Sequence, residues 1–144
     1  TLNVGLASFR PVKANSPKDH AIHSEYFEID QLAAKEINTA KSEGRRIICI
    51  GTTSVRVLEQ AHLLCQQSGL AALEPISGWA NVFILPGHEF GLVDGILTNF
   101  HLPKSTLLML ISAFSGREFI LDAYQKAISQ RYRFYSFGDA MLIT

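Results

Sequence analysis

The sequence has little from which to build a covalent or metal-bound framework. Its 144 residues include two cysteines, Cys49 and Cys65, with no Cys-x-x-Cys pair and no histidine at ligand spacing beside them. Cys49 lies in the apolar run Ile47-Ile48-Cys49-Ile50 and Cys65 at an apolar helical position, so both read as core filler in a reducing, cytoplasmic compartment. Neither sign of charge is in excess, with 13 Lys plus Arg against 13 Asp plus Glu. Bulk charge gives no drive toward nucleic acid, while leaving room for a local basic patch. No run approaches the roughly 18 apolar residues that cross a bilayer, and no basic segment leads into an apolar one as in a signal peptide. The G-x-G-x-x-G, G-x-S-x-G and H-E-x-x-H patterns are absent, which removes the common dinucleotide, esterase and zinc-protease readings. Internal repeats, low-complexity tracts and Gly/Ser linkers are missing too.

What is present suits a packed domain. Hydrophobic residues make up 47% and charged residues 18%, enough apolar side chain to exclude a disordered or fibrous chain. The length fits one domain portion spanning residues 1–144. The chain opens inside the strand-like Leu2-Asn3-Val4-Gly5-Leu6 and stops on Met141-Leu142-Ile143-Thr144, so it is expected to be a piece of a longer protein.

The hydrophobic pattern alternates between strand and helix. Ala7 to Asp19 is irregular, with Arg10-Pro11 and Ser16-Pro17 as breakers. His23 to Ile29 reads as a strand anchored by Tyr26, Phe27 and Ile29. Asp30 is placed to cap a helix ending at Gly44, with Leu32, Ala33, Ile37 and Ala40 on one face. Arg46 to Ile50 predicts a strand buried on both faces. Thr52 then starts a helix whose stripe is Val55, Leu58, His62 and Cys65. This strand-loop-helix order implies a parallel crossover. Further on, Val82 to Leu85 and Gly95 to Asn99 read as strands, Ser105 to Phe114 and Phe119 to Ser129 as helices. Tyr132 to Phe137 and Met141 to Ile143 suggest a hairpin around Gly138-Asp139. The sum is α/β: a mixed, partly parallel sheet flanked by helices.

Three loops concentrate polar residues where open α/β sheets place their sites, beyond the carboxyl ends of strands. Gly51-Thr52-Thr53-Ser54, with Arg56 just inside the helix, offers N–H groups and a guanidinium to an anion, or is an ordinary cap with a solvated Arg. Thr98-Asn99-Phe100-His101-Leu102-Pro103-Lys104-Ser105-Thr106 brings together an amide, an imidazole, an ammonium and hydroxyls between a strand and a helix. His101 is a candidate general acid or base, or a hydrogen-bonded structural residue. Lys104-Ser105 lacks the leading glycines of a phosphate loop. His23 and Glu25 fall on one side of their strand and can share a site, or form the polar face of an edge strand. Arg10, Arg117 and Arg133 are lone cations, the last set among aromatics that either stack on bases or fill a core.

The stretch Leu97-Thr98-Asn99-Phe100-His101-Leu102-Pro103-Lys104-Ser105-Thr106-Leu107-Leu108-Met109-Leu110 resembles a motif of the S-adenosylmethionine:tRNA ribosyltransferase-isomerases of queuosine biosynthesis. His23-Ser24-Glu25-Tyr26, Gly44-Arg45-Arg46, Gly51-Thr52-Thr53-Ser54-Val55-Arg56 and Tyr132 to Leu142 resemble the same family in the same order. Two departures are small: Ala7-Ser8-Phe9-Arg10-Pro11 stands for Gly-Thr-Phe-Arg-Pro, and His88 for a usual Tyr. The family's chains are more than twice as long, so the resemblance implies the C-terminal portion of a larger two-domain enzyme, without the N-terminal half and its β-barrel.

The activity so implied transfers and isomerises the ribosyl group of S-adenosylmethionine onto 7-aminomethyl-7-deazaguanine at the tRNA wobble position. Epoxyqueuosine tRNA forms, and adenine and methionine leave. No metal or other cofactor is implied, S-adenosylmethionine being a substrate, and no membrane. Within this resemblance His101 is the acid/base candidate, with Asn99 and Lys104 orienting or stabilising charge and His23 and Glu25 next in rank. Gly51, Thr52, Thr53, Ser54, Arg56 and Ser105 are expected to bind S-adenosylmethionine, and Arg10, Arg117 and Arg133 to contact tRNA. The competing readings are a phosphate- or nucleotide-binding α/β enzyme and a non-catalytic interaction domain.

Overall fold

The computed structural model describes residues 1–4 and 22–144; the expected irregular stretch Ala7 to Asp19 and the candidate Arg10 lie outside them. A short strand β1 (Leu2–Asn3) pairs antiparallel with β2 (Glu25–Ile29). Phe27 and Ile29 of β2 point into a core, whereas Tyr26 faces outward, edge-on to Trp79 with ring centroids 5.6 Å apart. A strand with one covered face has this period of two. Asp30 accepts the N–H of Ala33 at 2.8 Å and caps α1 (Gln31–Ser42). Gly44 follows at φ 68, a left-handed geometry that glycine adopts at little cost.

β3 (Ile48–Ile50), α2 (Thr52–Gln67), β4 (Ile76–Ala80), β5 (Gly95–Asn99), α3 (Thr106–Ser115), α4 (Arg117–Ser129) and β6 (Ala140–Ile143) complete the order. The strands form two three-stranded sheets. In one, β2 lies between β1 and β4, all antiparallel. In the other, β5 lies between β3, to which it is parallel, and β6, to which it is antiparallel. The expected α/β architecture with a partly parallel sheet is therefore present, beside a second, antiparallel sheet.

α2 packs between the two cores. Val55 belongs to a cluster with Cys49, Ile96, Ile111, Ile120 and Ile143 under the mixed sheet. Val57, Ala61 and Cys65 join Phe27, Ile29 and Ala34 under the antiparallel one, and Leu58 touches both clusters. Polar residues of the same helix then fix the chain around it. The Gln60 side-chain oxygen accepts the N–H groups of Asn81 and Val82 at 3.1 and 2.9 Å. Buried Glu59 accepts those of Gly91, Leu92 and Val93 at 2.9 to 3.2 Å and stands 3.3 Å from Nε2 of His88. Gly91 has no room for a side chain, since a Cβ would lie 2.1 Å from the His62 ring.

Three expectations change. The strand at Arg46–Ile50 is not buried on both faces: only Cys49 is covered, while Ile50 is 73% exposed. β3 is an edge strand, and α2 covers one side of it. The strand expected at Val82–Leu85 is instead Ile76–Ala80, because Gln60 takes the N–H groups of Asn81 and Val82 that a ladder would need. The hairpin around Gly138-Asp139 does not form, since β6 pairs with β5 and Phe134 turns inward onto Phe100 at 5.0 Å.

Glu59→Gln is expected to cost about 2–4 kcal/mol, because an amide cannot accept all three buried N–H groups. Glu43→Gln, which disturbs only an exposed pair with Arg45, is expected to stay within about 0.5 kcal/mol. Urea unfolding of the two variants beside the parent checks both values.

Candidate functional site

The strand directions bring three polar loops to one end of the mixed sheet. Ile50 of β3 lies opposite Leu97 of β5 in parallel register, and the N–H of Gly51 donates to the Leu97 carbonyl at 2.8 Å. The Gly51 turn and the Asn99–Ser105 loop thus leave the same carboxyl edge. β6 runs antiparallel with Ala140 opposite Asn99, so the segment preceding it, residues 132–139, arrives at that edge too. This is where parallel α/β strands place ligands.

His101 sits on the outgoing chain of β5. Its backbone N–H donates to the Tyr124 hydroxyl at 2.8 Å, and its Nε2 lies 3.0 Å from the Thr98 hydroxyl. Among the described residues no buried polar side-chain atom lacks a partner, and the other ring nitrogen has none. That nitrogen therefore opens onto the adjoining 270 Å³ cavity, whose walls include Asn99, Phe100, Leu102, Leu107 and Tyr135. Burial pushes the imidazole pKa down to about 4, so the ring is neutral at physiological pH. Burial also pushes the Tyr124 phenol up to about 12, against the opposing His101 N–H, which keeps its hydroxyl protonated.

The neighbours of His101 are held by the fold. Asn99 donates through Nδ2 to the carbonyls of Asp139 and Gly138 at 3.2 and 3.4 Å, joining the second and third loops. Ser105 accepts the Leu108 N–H at 3.1 Å and donates to the Leu102 carbonyl at 2.7 Å, so its hydroxyl is the cap of α3. Lys104 is exposed at φ 57. At the first loop, α2 starts at Gly51 with no side-chain cap, and Ser54 donates to the Ile50 carbonyl at 2.8 Å. Thr52 is buried and Thr53 half-buried.

Arg56, His23 and Glu25 do meet, early in α2, through hydrogen bonds within the fold. The Arg56 guanidinium, 6% exposed, donates to the Glu25 carboxylate at 3.1 Å and to the carbonyls of His23, Ala80 and Val82 at 2.7, 2.9 and 3.3 Å. Burial lowers the Arg56 pKa, and the Glu25 charge opposes that shift. Within the fold the pair ties α2 to β2 and to the end of β4. Arg117 is an exposed residue opening α4. Arg133 is also exposed and grips Asp139 at 2.9 Å, which holds that carboxylate below its usual range. A second cavity, 770 Å³ between α1, the far end of α2 and residues 70–75, is lined by none of the expected site residues.

Sequence reasoning put Thr98 in the His101 loop but passed over Tyr124 as a partner. Tyr124 falls on the apolar stripe of its helix, and only the tertiary packing aims its hydroxyl at the His101 N–H. Among the described residues no helix is long and apolar enough to cross a membrane.

A family model described as queuosine biosynthesis protein matches residues 1–143. A protein of Natranaerobius thermophilus named S-adenosylmethionine:tRNA ribosyltransferase-isomerase is 54% identical over 99% of this chain and 40% of its own length. One of that name from Clostridioides difficile is 50% identical over the same shares. The crystal structure of an S-adenosylmethionine tRNA ribosyltransferase from Thermotoga maritima superposes with a TM-score of 0.74 at 44% identity, covering 83% of this chain and 40% of that one. The chain thus spans about 40% of the length of the relatives it matches.

Arg56→Lys is expected to lose about 3 kcal/mol, since one ammonium cannot serve four acceptors and leaves Glu25 poorly paired in the interior. A loss below about 1 kcal/mol in urea unfolding would refute the structural role. The His101 shift gives a second test. Its folded pKa, about 4, lies below the ordinary value of 6.5, so the unfolded state binds more protons between those limits. Stability is then lost as pH falls from about 6.5 toward about 4, and His101→Gln is expected to flatten that slope in unfolding curves taken across the range.

Proposed function

The chain belongs to the queuosine biosynthesis protein family, and we propose that it carries the acid–base end of an S-adenosylmethionine:tRNA ribosyltransferase-isomerase site within a longer protein. The donor is S-adenosylmethionine, a substrate and not a cofactor. The acceptor is the 7-aminomethyl-7-deazaguanine base of tRNA, and the products are epoxyqueuosine tRNA, adenine and methionine. Residues 1–144 are the C-terminal part of the main domain of that enzyme.

The observation that carries this reading is the neutral His101 ring, hydrogen-bonded on one nitrogen and open on the other to a cavity walled by the loop after β5 and the segment before β6. The reaction calls for a base at the ribose carbon next to the sulfonium and an acid for the departing adenine. His101 serves the first step with its open nitrogen, while the Thr98 hydroxyl holds the ring at Nε2. Asn99 holds the third loop against the second, and exposed Lys104 of the second loop offers a cation to negative charge. The uncapped start of α2, at Gly51, Thr52, Thr53 and Ser54, suits the methionine carboxylate of the donor. Exposed Arg117 and Arg133 suit phosphates of tRNA. His23, which gives its carbonyl to Arg56, and the buried pair itself support the frame of the site.

In the longer protein, adenine release from S-adenosylmethionine is expected to require tRNA carrying the aminomethyl base, and His101→Ala to reduce it about 100-fold or more. The assay is chromatographic detection of adenine. Release without tRNA, or near-normal release by the folded variant, overturns the reaction or the role of His101 respectively.

A further inference from the structure

The segment Tyr132-Arg133-Phe134-Tyr135-Ser136-Phe137 divides its aromatic side chains between two environments. Phe134 packs inward, with ring centroids 5.0 Å from Phe100 and 5.6 Å from Tyr124. Tyr135 and Phe137 turn the other way and are 55% and 98% exposed. Tyr135 also lines the His101 cavity.

This is not a loose end of chain. The N–H of Tyr135 donates to the Phe100 carbonyl at 3.1 Å, and that of Gly138 closes a turn onto the Tyr135 carbonyl at 2.9 Å. Asp139 donates its N–H to the Arg133 carbonyl at 2.8 Å and accepts the Arg133 N–H and guanidinium in return. Asn99 grips the Gly138 and Asp139 carbonyls from β5. A Cβ at Gly138 would lie 2.3 Å from the Arg133 carbonyl oxygen, so the turn has no room for another residue. Tyr135 itself sits at φ 69, a left-handed geometry unfavourable to an aromatic residue. Backbone strain, a glycine-only contact and several hydrogen bonds thus hold in place a turn whose tip is an aromatic ring in water.

We propose that Tyr135, on the wall of the His101 cavity, and Phe137, exposed in the same turn, form a stacking surface for a nucleobase. The proposal rests on the function proposed above and adds a binding surface to it. An aromatic ring fixed by its backbone loses little freedom when a flat partner covers it, and base–aromatic stacking is strong enough to change affinity several-fold to a hundredfold per base. The cavity supplies both elements a base needs: apolar walls at Phe100, Leu102 and Leu107 for its faces, and Asn99, His101 and Ser105 for its edge. Both substrates of the proposed reaction bring such a ring, the adenine of the donor or a base of the tRNA acceptor.

The test uses the longer protein and binding rather than turnover. Dissociation constants for S-adenosylmethionine and for the aminomethyl-modified tRNA are measured separately for the parent, Phe137→Leu and Phe137→Tyr. Phe137→Leu keeps an apolar side chain but removes the ring, and is expected to weaken one ligand about tenfold with an unchanged melting temperature; Phe137→Tyr is expected to restore it. Weakened tRNA binding assigns the surface to an acceptor base, and weakened S-adenosylmethionine binding assigns it to adenine. Unchanged constants for both ligands overturn the proposal, as does equal weakening in the Leu and Tyr variants. Adenine release by the parent is followed in parallel. Its absence counts against the proposed reaction, whereas unchanged binding in the variants of an active parent sinks the stacking surface alone.

Discussion

The buried guanidinium of Arg56 is the constraint on which the two sheets depend. A charge in the interior is tolerated only when its hydrogen-bonding capacity is met. Here Glu25 supplies the counter-charge and three carbonyls, from His23, Ala80 and Val82, take further N–H groups. Because those acceptors belong to β2 and to the chain around the end of β4, α2 has one position relative to the antiparallel sheet. Apolar packing through Val57, Ala61 and Cys65 would by itself tolerate small shifts; the fork of donors does not.

One turn further along, Glu59 does the same for the mixed sheet. Its three N–H partners lie just ahead of β5, and Asp94, next in the chain, binds the Ile47 N–H ahead of β3 at 2.9 Å. Burial would raise the Asp94 carboxyl, but the Ile47 N–H and Lys41 outweigh it and hold it below the usual range. The register of β3 against β5 follows, and with it the position at which His101 leaves the sheet. The position of His101 is thus set by the carboxylates of Glu59 and Asp94 as well as by apolar packing.

Much of this was legible in the residues. Asp30, Gly44, Ser105 and Gly116 mark helix ends by local chemistry, and the structure puts helix ends there. The parallel crossover and the polar loops at the carboxyl edge follow from strand-helix order. What eluded sequence reasoning was tertiary. Whether a run such as Ile48-Cys49-Ile50 is covered on one face or two depends on what packs above it, and Ile50 is largely open. A buried Arg and a solvated Arg look alike one turn into a helix, and only the carbonyls around Arg56 separate them. Glu59 and Gln60 lie off the Val55-Leu58-His62-Cys65 stripe of their helix, yet both accept backbone N–H groups of the loops around β4 and β5.

The depressed pKa of His101 has a consequence for the proposed chemistry. A sulfonium donor is a cation, and an imidazolium beside it would be repelled in a site of low dielectric. A ring kept neutral by burial avoids that conflict and leaves its open nitrogen free to take a proton from the carbon next to sulfur. The same burial makes the protonated ring a strong acid, ready to give the proton up to a departing nitrogen base. Weakness as a base is met by the acidity that a neighbouring sulfonium confers on the carbon, while strength as an acid assists the loss of adenine. One imidazole, fixed by Thr98 at its ring and by Tyr124 at its backbone, therefore suits both proton transfers in sequence.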